Sequence, residues 1–173
     1  YGKDARAWIN FPGSARTVEF RYAISYISPE QARANFSEQV KALSFFSIKE
    51  KAEKTWQKVM NQVRVSGGTL AQRRSFYTAL YRCNERMVDI TEDGKYYSGF
   101  DKKVHTTGKT FYVDDWIWDT YLALHPLRAI LNPLLERNML NAYVTMYQQS
   151  GWMPAYPLVD GDEPCMRSKE SRV

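Results

Sequence analysis

Between Thr17 and Ile27 apolar and polar residues alternate. Val18, Phe20, Tyr22, Ile24 and Tyr26 fall on one side, and Thr17, Glu19, Arg21, Ala23 and Ser25 on the other. A period of two predicts a half-buried antiparallel strand. Pro12-Gly13 predicts a turn before it, with residues 5–11 as its hairpin partner. Because a two-stranded piece is unstable alone, these are expected to be the last strands of a larger sheet lying upstream.

The period changes at Ser28. Ser28 is placed to cap a helix, with Pro29 at its first position and Gln31 completing a capping box. Ala32, Phe36, Val40 and Leu43 then share one helical face. Ser47-Ile48-Lys49-Glu50 predicts a second box, ahead of a helix carrying Ala52, Trp56, Val59 and Val63, which Ser66-Gly67-Gly68 ends. Thr69-Leu70-Ala71-Gln72 predicts a third, opening a helix with Phe76, Leu80, Cys83 and Met87 on its stripe. Residues 88–113 lose the helical period, and Glu92-Asp93-Gly94 and Thr106-Thr107-Gly108 predict turns.

Asp114 and Asp115 stand where a helix over 115–124 is expected to begin, which suits its dipole, and Pro126 is expected to bend or end it. Asn132-Pro133 opens a last helix with Leu135, Met139, Ala142 and Met146 inward and Gly151 as its stop. The remainder, from Trp152, is expected to be loop. The pattern is therefore α+β: a short β piece, then paired helices in a bundle or α/α toroid, interrupted by one β-rich excursion.

Composition narrows the function classes. The 173 residues carry 24 basic and 19 acidic side chains, a net charge of +5 with both signs interspersed. No Lys/Arg block marks a nucleic-acid arm. No run of 18 apolar residues predicts a membrane span. Twelve tyrosines and five tryptophans favour a protein that handles a carbohydrate, a peptide or another flat ligand, although cores use the same residues. Cys83 and Cys165 lack metal-ligand spacing and are expected to be free thiols. No phosphate loop, paired-histidine or Cys-x-x-Cys motif or nucleophile elbow occurs.

The densest chemistry lies between Phe111 and Pro126. Carboxylates beside indoles can hold a sugar: the acids accept from hydroxyls and the indole covers the C–H face of the ring. Asp115 and Asp119, four apart, are expected to share a helical face. Two like charges there call for a cation, a hydroxyl-rich ligand or an arginine between them, and solvent-facing capping acids are the plainer reading. His125 is expected to be structural, near the end of that helix. Asp101, in the turn-rich segment Tyr96–Asp101, and Trp152, in the proline-rich loop Gly151–Pro157, are further candidates for ligand walls.

Five segments, in order, resemble glycoside hydrolase family 92. They are Ile24-Ser25-Tyr26-Ile27-Ser28 with Gln31-Ala32-Arg33-Ala34-Asn35, Phe76–Tyr81, Asp93-Gly94-Lys95-Tyr96, Trp118-Asp119-Thr120 with Leu124-His125-Pro126-Leu127, and Gly151-Trp152-Met153-Pro154. The resemblance covers roughly residues 18–166. That family comprises calcium-dependent, exo-acting α-mannosidases, mostly from Bacteroidetes and their relatives. The resemblance implies the end of an N-terminal β-sandwich over 1–28, a helical linker over 29–66, and the first part of an (α/α)6 catalytic barrel over 67–173. It implies hydrolysis of α-mannosidic bonds of glycans with inversion, which separates the acid and base carboxyls by about 6.5–9.5 Å.

In the family the acid, the base and most calcium ligands lie downstream of the matched segments. No catalytic or metal role is therefore expected of this chain, and the chain alone is expected to be inactive. Asp119 and Trp118 are the first candidates for binding the sugar, followed by Asp115, Asp101 and Trp152. The resemblance also implies Ca2+ as cofactor, mannose-containing glycans as ligands, a periplasmic or secreted location, and other chains completing the barrel. A non-catalytic carbohydrate-binding or interaction fragment, and a helical structural protein in which Trp-Asp caps a helix, are the other readings. Cys165-Met166 resembles the start of a family segment that Arg167–Val173 do not continue, and Trp116 stands where a small residue is commoner. With partners missing, Leu135, Met139 and Met146 are expected to form an exposed apolar stripe that drives association.

Overall fold

A computed structural model describes residues 6–14 and 16–163. The Cys165-Met166 segment and residues 167–173 lie outside the described residues.

Capping residues set most helix starts. Ser28 accepts the Gln31 N–H at 3.1 Å, and α1 runs Pro29–Gln39 with its proline in the first turn. Gln31 does not close the expected box: its side-chain amide donates to Asn35 and Asp93 instead. Helix α2, Phe45–Met60, begins before the expected Ser47 box, because Ser44 takes the Ser47 N–H and adds a turn upstream. At α3, Leu70–Arg82, the Thr69–Gln72 box is complete, with reciprocal bonds of 3.2 and 2.8 Å. Helix α2 buries no residue and leans on α3 through Trp56 and Tyr81, whose ring centroids are 4.5 Å apart.

Three two-stranded antiparallel ladders follow. Strand β1 (Val88–Asp89) pairs with β4 (Tyr112–Val113), and β2 (Lys95–Ser98) pairs with β3 (Lys103–Thr106). The loop expected after Trp152 instead holds β5 (Pro157–Leu158) and β6 (Gly161–Asp162). The Glu92–Lys95 turn has Asp93 and Gly94 at φ 48° and 69°, the left-handed pair that a tight hairpin turn demands.

Two expectations are corrected by the chain path around Pro126. The helix expected over 115–124 is a four-residue turn of helix, α4 (Ile117–Thr120), followed by a separate α5 (Leu124–Leu131). Pro126 lies in the first turn of α5, where its missing N–H costs no hydrogen bond. Proline therefore starts a helix here rather than ending one. Helix α6, Pro133–Ser150, follows the sequence closely: Asn132 caps it, and Gly151 closes it at φ 79°.

The architecture is mixed helix and strand, as expected of an α+β chain. The β-sandwich strands expected over residues 1–28 are not seen: no described residue before α1 lies in a strand. The alternating side chains point outward, with Phe20 70% exposed. A strand requires a partner for its amides and carbonyls, and among the described residues none runs beside this segment. The segment is tied down by Glu92, which accepts from the Tyr26 N–H and from the Asn35 side chain of α1.

The core lies where α6 packs on the β-rich excursion. Met139, Ala142, Tyr143 and Met146 meet Met87, Ile90, Tyr96, Phe111, Tyr112 and Val113. Met139 and Met146, expected to be exposed, are thus buried, and Leu135 is partly buried against them. The apolar face left open on α6 is the opposite one, Leu134, Leu140, Val144 and Tyr147. The helix is apolar on two sides, and the excursion covers one of them.

Candidate functional site

Helix α4 is too short to hold itself by propensity. Its first turn lacks a side-chain cap, and its cap position is Trp116. Packing and three anchors hold it instead. The Trp116 indole stacks on Tyr156 at 5.5 Å, and the Arg86 guanidinium lies 3.5 Å over its ring. Arg86 also bonds Asp114 at 2.6 Å, with Asp114 at φ 66°. The Ile117 N–H reaches the Ala155 carbonyl, and Thr120 donates to Asp115 at 3.0 Å. On the outer face of this pinned turn sit Trp118, 63% exposed, and Asp119, also exposed. An exposed indole beside an exposed carboxylate on a fixed backbone can stack on a sugar ring and accept from its hydroxyls.

Asp115 does not share that face. It precedes α4 and its side chain is fully buried. The shared-face expectation assumed a continuous helix from 115 to 124, and the helix begins only at Ile117. Asp115 instead receives three donors on one oxygen, Oδ2: Thr120 Oγ1, His125 Nε2 at 2.9 Å and the Tyr143 hydroxyl. It has no surface to offer a ligand directly.

His125, expected near a helix C-terminus, lies in the first turn of α5. Its second nitrogen, Nδ1, is 2.7 Å from Glu136 Oε1 at the start of α6. A neutral imidazole carries one N–H, so facing carboxylates at both nitrogens it would turn a lone pair toward one of them. The imidazolium satisfies both. Its bond to Asp115 lifts the His125 pKa above the ordinary 6.5, burial opposes this, and Glu136 adds to the lift. Burial works against the Asp115 carboxylate, but the bonds from His125 and Tyr143 outweigh it and hold that group below the ordinary 3.8. Burial, then the Asp115 charge, pushes the Tyr143 hydroxyl far up. Buried Arg128 completes the group, donating to the Cys83 and Arg86 carbonyls at the end of α3.

Asp101 and Trp152 lie on other elements. Asp101, in the β2–β3 turn, holds His105 at 2.9 and 3.1 Å and takes the Lys103 N–H. Trp152 lines a cavity of about 280 Å3 with Gly99, Phe100, Lys102, Pro154 and Asp160, and neither Trp118 nor Asp119 borders it. Gly99 is pressed against the 159–161 backbone there: a Cβ would stand 2.2 Å from the Asp160 carbonyl carbon.

Sequence reasoning missed Glu136, Tyr143, Thr120 and Arg128. One signal was present. Glu136 falls on the α6 stripe of Met139, Tyr143 and Met146, and a carboxylate at a core position calls for a buried cationic partner. Among the described residues no three His, Cys, Asp or Glu side chains are grouped to hold a metal ion. Asp115 and Glu136, the two most buried acids, enclose an imidazolium where a cation would need room. Those two acids are thus already engaged by His125. No described helix is long and apolar enough to cross a membrane.

Residues 31–173 match the model of the glycosyl hydrolase family 92 catalytic domain. Among solved structures, an inverting mannosidase of that family from Bacteroides thetaiotaomicron is similar at 34% identity and TM-score 0.75, over 85% of this chain and 20% of that one. A family 92 α-mannosidase from the same organism is similar at 25% identity and TM-score 0.77, over 82% and 19%. Its complex with mannoimidazole gives 25% and 0.74 over the same shares. The chain thus spans about a fifth of the length of these structures. No curated protein matches it.

Proposed function

The chain belongs to glycosyl hydrolase family 92, and from that premise we propose that it forms part of an exo-acting α-mannosidase that hydrolyses α-mannosidic bonds of glycans with inversion. Its contribution is one wall of the terminal-mannose subsite. Trp118 covers the C–H face of the sugar, and Asp119 accepts from its hydroxyls. The observation that carries this reading is the exposure of both side chains on a turn that three separate segments hold in place. A cap role for Asp119 is disfavoured, because the cap position of α4 is Trp116.

We assign the general acid, the general base and any calcium ligands to parts of the protein other than the described residues. Inversion requires about 6.5–9.5 Å between two carboxyls so that water can enter between them. The chain's own part is to bind and orient the ring. The periplasmic or secreted compartment belongs to the same proposal, as do mannose-containing glycans as ligands. The likeness to a structure holding mannoimidazole supports the ligand class.

The test is calorimetric titration of the full-length protein with mannoimidazole, comparing wild type with Asp119→Ala and Trp118→Ala. Either substitution is expected to weaken binding by about tenfold or more, the loss of one hydrogen-bonded or stacked contact in a desolvated site. Undiminished affinity in both variants would refute the assignment.

A further inference from the structure

His125 lies five residues from Thr120, the end of α4, and is joined to it through Asp115. Asp115 Oδ2 is the shared acceptor: Thr120, the last residue of α4, donates to it, and so does His125. Removing the His125 N–H from that oxygen changes the atom on which Thr120 rests. Helix α4 contributes one partly buried apolar residue, Ile117, to the core, and the Thr120 hydroxyl at its end is shared between Asp115 and the Trp116 carbonyl.

The groups facing His125 from each neighbouring element are few. Asp115 comes from the segment after β4, and Glu136 and Tyr143 come from α6, while Arg128, on α5 itself, donates to the Cys83 and Arg86 carbonyls. With His125 protonated, its two N–H groups meet the two carboxylates. With His125 neutral, the two buried carboxylates lose the cation between them, and one His125 nitrogen turns a lone pair toward a carboxylate. Three donors share Asp115 Oδ2, so any shift of that side chain is passed to Thr120.

We propose that His125, as an imidazolium bridging Asp115 and Glu136, is the positioning residue for the Trp118–Asp119 turn, so that the geometry of that turn follows the protonation of a side chain that touches no ligand. Its bearing on sugar binding rests on the subsite reading above. The clamp itself does not.

The test is amide hydrogen exchange of residues 117–121 across about pH 6 to 9, corrected for the intrinsic rate, with 15N detection of the His125 ring. In wild type, protection of 117–121 is expected to fall about tenfold or more as the ring loses its second proton, while the α6 interior around Ala142 and Met146 holds. In His125→Gln, protection of 117–121 is expected to be low at every pH. In Glu136→Gln, which keeps the histidine and one acceptor oxygen, both the ring titration and the protection step are expected at lower pH. This second variant decides the matter if His125→Gln fails to fold. Protection indifferent to the ring's titration, or a step that stays put in Glu136→Gln, overturns the clamp. Methyl α-mannoside is titrated in parallel. Binding lost in Asp119→Ala but unchanged in His125→Gln also overturns it. A protection step with no wild-type binding supports the clamp and overturns only the sugar subsite.

Discussion

Replacing Asp115 separates the roles of its charge and its oxygen. In Asp115→Ala three donors lose their acceptor. Thr120 loses least, because its hydroxyl also reaches the Trp116 carbonyl at 3.0 Å. Tyr143 keeps only a contact with the Met87 sulfur at 3.5 Å, a weak acceptor, and being buried costs about 1–3 kcal/mol. The charged bond from His125 accounts for about 1.5–3 kcal/mol. The expected loss is therefore about 3–5 kcal/mol, the range for a buried ion pair stripped of one partner. Asp115→Asn keeps an oxygen for all three donors and removes the charge. Its amide nitrogen replaces Oδ1, which has no partner among the described residues. That variant should lose about 1–3 kcal/mol. Urea unfolding at neutral pH, followed by far-ultraviolet circular dichroism, measures both. A loss below about 1 kcal/mol in Asp115→Ala, or equal losses in the two variants, would show that the donors do not depend on this oxygen.

Stability should also fall on both sides of a plateau in pH. The His125 value is raised on folding, so its contribution is complete below 6.5 and is lost as pH rises through the folded value. The Asp115 value is lowered, so its contribution is present above 3.8 and is lost as pH falls through the folded value. Urea midpoints against pH test this, and a flat alkaline flank in wild type would contradict the His125 assignment. Gly99→Ala should detach the 159–161 loop from the β2–β3 turn, since the added carbon meets backbone rather than a movable side chain. Trp152 fluorescence in a protein whose other tryptophans are replaced by phenylalanine would report the loosening, and an unchanged spectrum would refute the contact.

What the sequence revealed divides along physical lines. Ser28, Thr69, Asn132 and Gly151 act on atoms within a few residues of themselves, and each does what its local chemistry predicts. The inward stripe of α6 was legible for the same reason. The strand over 17–27 was not, because alternation describes a surface that can pair, while pairing depends on a neighbour elsewhere. Pro126 was ambiguous, since proline fits the first turn of a helix as well as the position after its end. Of the candidate site, the exposed pair Trp118–Asp119 lies on a helix as expected, while Asp115 leaves the expected shared face because the helix begins only at Ile117. The Asp115–His125–Glu136 group could not be seen as a group. Its members stand 10 and 11 residues apart and meet only because α5 folds back on α6.

The turn at Glu92-Asp93 bears on the order in which the protein is made. It supplies acceptors to Tyr26, Gln31 and Asn35, which are 66, 62 and 57 residues earlier in the chain. At about 5–20 residues per second, some 60 residues take roughly 3–12 s to emerge from the ribosome. During that interval α1 has its own cap and 11 residues, too few to hold a helix firmly in water. Its final placement is thus deferred until a hairpin encoded far downstream has closed. A translational pause shortly before the codons of this turn would lengthen the time in which Tyr26, Gln31 and Asn35 wait for their acceptors.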